Sequence, residues 1–106
     1  MEDFHFIDDL NKQLPEIPAD SIISRTFYQD DQLKVLIFGF AKGQELSEHT
    51  ASMPAIIHIL KGEARIILGN ETKNVFEGSW VLMRPHLPHS IYANTTLIML
   101  LYMLRG

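Results

Sequence analysis

The sequence predicts an all-β fold, a sandwich or barrel of short strands, and three observations carry that expectation. Segments rich in Ile, Val, Leu, Phe and Tyr recur at short and regular intervals. Turn-forming pairs separate them: Lys42-Gly43, Lys61-Gly62, Gly69-Asn70, Glu77-Gly78 and Asn94-Thr95. No long stretch repeats its apolar residues with a helical period, and only 6–12 offers a short candidate helix.

In chain order, residues 1–20 form an N-terminal extension and 21–106 a single domain. Pro15 and Pro18 mark 11–20 as an extended lead-in, because proline lacks an N–H and restricts its predecessor. Strands are expected at 21–28, 33–40, 55–60, 64–68, 73–76, 80–83, 89–93 and 97–104. Gly69-Asn70 reads as a tight hairpin turn, since both residues tolerate positive φ. A chain of 106 residues suits one domain built around one core.

Composition excludes several classes. The formal charge of -4 argues against nucleic acid as a partner, since phosphate binding needs clustered Lys and Arg. With no cysteine, disulfides, thiolate metal sites and cysteine nucleophiles are impossible. The apolar run 97–104 is far shorter than the roughly 20 residues of a membrane span. Glu2, Asp3, Asp8 and Asp9 make the first ten residues too acidic for a secretory signal. A cytoplasmic protein with no membrane partner is the resulting expectation.

Four of the five histidines lie between His49 and His89. Gly43 precedes His49 by six positions, Gly62 closes the following strand, and Gly78 opens a segment running through Arg84, Pro85, His86 and Pro88 to His89. This pattern, from Phe38 to Leu104, resembles the two-part signature of the cupin family, and more narrowly its small single-domain bacterial members of the RmlC-like superfamily. Gly43, His49, Gly62, Gly78 and His89 match that signature. Ala51 stands where it has a second His, Ala55 where it has Glu, His86 where it has Gly, and Arg84 where it has Pro.

The resemblance implies a jelly-roll barrel with a reduced metal-ligand set. His49 and His89 are its candidate ligands, with His86 as the candidate third. The cofactor class it implies is a weakly held divalent metal (zinc, nickel, manganese or iron), the alternative being none. Strand parity sets the faces. With His89 inward, Ile91 and Ala93 point inward. With Ala55 inward, Ile57 and Ile59 do too, and His58 points away. The candidate pocket is thus lined by His49, His89, Met53, Met83, Ile57, Ile59 and Ile91, with Met99 and Trp80 also considered. Met103 reads as core, Trp80 alternatively as a dimer-interface residue, and Arg84 as rim or solvent charge. His5 has no role.

Three functions follow: a small-molecule-binding barrel of unassigned ligand, a metal-dependent enzyme of dioxygenase or isomerase type, and a structural barrel that binds no ligand. A homodimer is expected, through the open edge of the first strand.

Overall fold

Alternation of apolar and polar side chains makes this chain a stack of two sheets. The computed structural model describes residues 3–105. Nine strands follow one another: β1 Ile22–Gln29, β2 Leu33–Phe40, β3 Glu45–His49, β4 Ala55–Lys61, β5 Glu63–Leu68, β6 Glu71–Phe76, β7 Trp80–Met83, β8 His89–Ala93 and β9 Leu97–Leu104. They form a five-stranded sheet ordered β1-β2-β9-β4-β7 and a four-stranded sheet ordered β3-β8-β5-β6, with every pairing antiparallel. The result is the jelly-roll arrangement, in which the two sheets bury their inner rows against each other.

Parity decides which side chains enter the core. Ala55, Ile57 and Ile59 of β4 face inward, as do Ile91 and Ala93 of β8 and Leu97 and Met99 of β9. His58 falls on the outer face of β4, half-buried. Phe40, Ile66 and Met83 complete the same cluster. Gly69-Asn70 closes the β5–β6 hairpin as two residues, and Gly69 alone has positive φ (61°), the sign pattern of a type II′ turn.

Two local expectations change. In place of a helix at 6–12 there is one 3-10 turn, Leu10–Gln13, capped by the Asp9 carboxylate accepting from the Asn11 N–H at 3.0 Å. The strand β3 was not expected. Its sequence, Glu-Leu-Ser-Glu-His, has a single apolar residue, so long-range pairing with β8 makes it a strand.

The N-terminal segment does not project from the molecule. It lies on the outer face of the five-stranded sheet, where Gly39 leaves room for Leu14 and Ile17. A Cβ at Gly39 would stand 2.6 Å from Ile17 Cδ1. Val35, Ile37 and Leu100, which point outward, are buried there.

The β1–β2 turn is built on Asp30. Its carboxylate accepts from the Tyr28 hydroxyl at 2.6 Å and from the backbone N–H groups of Gln32 and Leu33, each at 2.8 Å. The Arg105 N–H donates to the Gln32 carbonyl at 2.7 Å, tying the end of β9 to this turn. The Tyr28 hydroxyl foremost, and then the backbone amides, hold the Asp30 carboxyl below its ordinary value of 3.8, while the same bond raises Tyr28 above 10.0. A depressed folded-state pKa contributes stability above the unfolded value, and that contribution is lost as pH falls through the folded value. Asp30→Asn is therefore expected to flatten the loss of stability below about pH 4, seen in urea midpoints measured from pH 5 to pH 3. Parallel profiles for the two proteins would reject this role for the turn.

Candidate functional site

His49 ends β3 and His89 begins β8, and the two are cross-strand partners. A register shift between Leu46 and His49 bends β3 just before the pair. The imidazole centroids lie 4.2 Å apart with the ring planes at 57°. His89 is 7% exposed, whereas His49 stands in solvent, so the pair spans the mouth of the barrel.

Both rings are held in the same way. His49 Nδ1 lies 2.8 Å from the carbonyl oxygen of Ser47, and His89 Nδ1 lies 2.9 Å from that of Leu87. In each case the carbonyl belongs to the residue two positions earlier, and a carbonyl can only accept. Each neutral ring therefore carries its hydrogen on Nδ1 and leaves the Nε2 lone pair free. Two imidazoles with fixed tautomers and open Nε2 atoms form a small acceptor site, and the backbone carbonyls are the usual kind of partner that orients a ligating histidine.

Around the pair the structure narrows the expected pocket. Ile57, Ile59 and Ile91 are each 1% exposed and Met83 3%. They pack into the core cluster, so no water-sized space lies against them and they do not line an open chamber. Met99 is likewise core, whereas Met53 is half-buried in the β3–β4 connection. Trp80 is outside the barrel, 59% exposed on the outer face of β7. The interior is filled because Ile, Met and Phe side chains from facing strands occupy it.

His86 does not complete a metal site. Among the described residues no three His, Cys, Asp or Glu side chains gather closely enough to hold a metal ion. His86 is exposed, and its N–H donates to the Ala51 carbonyl at 2.7 Å. Its φ of 69° is the left-handed conformation that glycine adopts freely, which accords with the glycine of the family pattern at this position. Ala51 and Ala55 present methyl groups with no lone pair. Two imidazoles alone do not fit a resident catalytic or structural metal, which takes three or more protein donors. Sequence reasoning missed the carbonyl clamps on Ser47 and Leu87. Their only sequence signal is that each lies two residues before a candidate histidine.

A family model described as the cupin domain matches residues 36–104, well over half of the chain. No curated protein matches. Among solved structures, a conserved protein of unknown function from Streptococcus pyogenes is 32% identical with a TM-score of 0.85, over 99% of this chain and 91% of that one. A cupin superfamily protein from Desulfitobacterium hafniense is 24% identical with a TM-score of 0.82, over 87% of this chain and 84% of that one. An RmlC-like cupin from Shewanella frigidimarina is 18% identical with a TM-score of 0.81, over 100% of this chain and 93% of that one. The last two likenesses concern the fold alone. With its two-sheet barrel, its signature glycines and a family match across β2 to β9, the chain belongs to the cupin family.

Proposed function

We propose that this cupin binds a small polar molecule at the mouth of its barrel, through the Nε2 atoms of His49 and His89. One observation carries the reading: both rings are clamped through Nδ1 onto backbone carbonyls, which leaves two adjacent acceptors aimed away from the backbone. The ligand supplies N–H or O–H donors to those atoms, and the half-buried Leu87, whose carbonyl holds His89, offers apolar contact beside them. A divalent cation is the second reading, favoured by the same free lone pairs. Water or ligand atoms would have to complete its shell, so it binds weakly and exchanges. A dioxygenase or isomerase reaction is less well supported, because Ala51 and Ala55 withhold the donors that a resident metal needs. Protons compete for the same lone pairs, so acidification weakens either kind of occupant.

Thermal shift with a panel of small hydroxylated and amine metabolites, run on the native protein and on His49→Ala and His89→Ala, tests the reading. A compound that stabilises the native protein should bind roughly five- to tenfold more weakly to each variant, about 1 kcal/mol for each lost hydrogen bond. Zinc, nickel, manganese or iron(II) near 100 µM should raise Tm by no more than about 2 °C, corresponding to well under 1 kcal/mol of linkage. A hit that binds both variants as well as the native protein removes the histidines from the site. A metal shift of about 10 °C or more would show a resident site after all.

A further inference from the structure

The N-terminal segment and the sheet beneath it enclose a groove of about 750 Å³, separate from the mouth of the barrel. That volume falls within the roughly 300–1,000 Å³ of small-molecule sites. The floor is the outer face of β2 and β9, through Val35, Leu100 and Tyr102. The segment itself is the facing wall, through Phe4, His5 and Ile7. Among the described residues, 3–9 share no hydrogen bond with the sheet, so apolar and aromatic contacts alone hold this wall. One of them is His5 on Tyr28, with ring centroids 5.2 Å apart.

A bulge in β1 supplies the third side. Thr26 pairs with Leu36 and Tyr28 with Val35, so Phe27 is the extra residue. Strand parity sends Arg25 and Phe27 outward, and the extra residue returns Tyr28 to that same face. Two successive aromatic side chains therefore line the groove, where an unbroken strand would send one. The carboxylates of the lining are Asp3 and Asp30, and no Lys or Arg lines it.

Asp30 is only partly used by its turn. Its Oδ1 accepts both backbone N–H groups, whereas its Oδ2 accepts the Tyr28 hydroxyl alone, so one lone-pair position stays open. The nearby guanidinium groups are directed elsewhere. Arg105 Nη1 donates to the Asp30 carbonyl oxygen at 3.4 Å, and Arg25 Nη1 to the Gln13 carbonyl oxygen at 3.5 Å.

We propose that this groove is a second ligand site, specific for an organic ammonium ion with an apolar or aromatic body. The cation lies among Phe27, Tyr28 and Tyr102 beside the Asp30 carboxylate, and the apolar body lies on Val35 and Leu100. Aromatic rings attract a cation through their negative faces, and they suit an alkylated ammonium that is weakly hydrated. The carboxylates add selectivity for sign. An anion would meet two negative groups with no Lys or Arg to offset them, and a neutral ligand would use the apolar floor alone.

Calorimetry and two-dimensional NMR of the full chain test this, with benzyltrimethylammonium chloride as the probe. Neutral 2-phenylethanol and anionic 3-phenylpropanoate are the comparisons. The cation should bind with a Kd of roughly 1 mM or below, about fivefold or more tighter than either comparison. Amide shifts should fall at 3–10, 27–35 and 100–102 and not at His49 or His89, and amide exchange at 3–9 should slow as the occupant bridges wall and floor. Phe27→Leu keeps apolar bulk but removes the ring, so it should weaken the cation about threefold and leave 2-phenylethanol unchanged. Asp30→Asn should weaken the cation about fivefold, again without effect on 2-phenylethanol. Should Asp30→Asn fail to fold by circular dichroism, Asp3→Asn and Phe27→Leu decide the matter. Equal binding of the three probes overturns the proposal, as does a preference for the anion. So do cation shifts centred on the histidine pair, and a groove that takes up no probe because a second copy of the chain fills it.

Discussion

Gly62→Ala is expected to lower unfolding free energy by about 3 kcal/mol or more, which for a chain of this length moves Tm down by about 12 °C. Gly62 is the single residue between β4 and β5, where the chain leaves one sheet for the other. The return crossing, from β8 to β9, passes directly against it. The Glu63 N–H donates to Thr95 Oγ1 at 3.0 Å, and the Asn94 N–H donates to the Glu63 carbonyl at 2.9 Å. A Cβ on Gly62 would overlap the Thr96 carbonyl oxygen and stand 2.9 Å from Thr95 Oγ1. The φ of 91° adds a conformational cost that only glycine escapes. A flexible side chain could move aside, but a backbone carbonyl locked between two strands cannot. Chemical denaturation followed by circular dichroism measures the loss. A change below about 1 kcal/mol would mean that the two crossings separate easily, and this account of the fold would fail.

Phe40→Ala is expected to cost about 3–5 kcal/mol, the other large effect in this chain. Phe40 is fully buried at the end of β2, in the cluster that joins the two sheets, with the Phe38 ring 6.1 Å away. Truncation removes its transfer free energy and leaves a cavity that paired strands on both sides cannot close. Trp80→Ala provides the contrast. Trp80 is larger, but 59% exposed, so its loss should change the unfolding free energy of the isolated chain by no more than about 0.5 kcal/mol. Equal destabilisation of the isolated chain by both substitutions would contradict the assignment of inner and outer faces.

All eight expected strands lie within two residues of strands in the structure at both ends, and four of them, β2, β7, β8 and β9, coincide with it. These are segments whose own side chains alternate or run apolar, so the information is local. Strand β3 is the exception. Glu45, Ser47 and Glu48 are exposed, and only the partner strand β8 supplies the reason for the segment to extend. The histidine pair was legible from the spacing of His49 and His89 relative to the glycines. Its depth was not, because the bend in β3 that carries His49 into solvent depends on pairing register. The expected pocket of Ile57, Ile59, Ile91 and Met83 had the correct orientation, yet parity cannot tell a hollow interior from a filled one. That depends on volumes contributed by strands far apart in the chain.

The sequence by itself determined the class of fold, the strand faces, the turn glycines and the two histidines, because each rests on side-chain type and on a period of two along one strand. The tertiary structure alone decided that the N-terminal segment covers half of one sheet, that Trp80 and Leu82 stand uncovered on the other half, and that Ser47 and Leu87 set the histidine tautomers. Each of these is a relation between residues brought together by the stacking and register of the two sheets, and no local propensity encodes it.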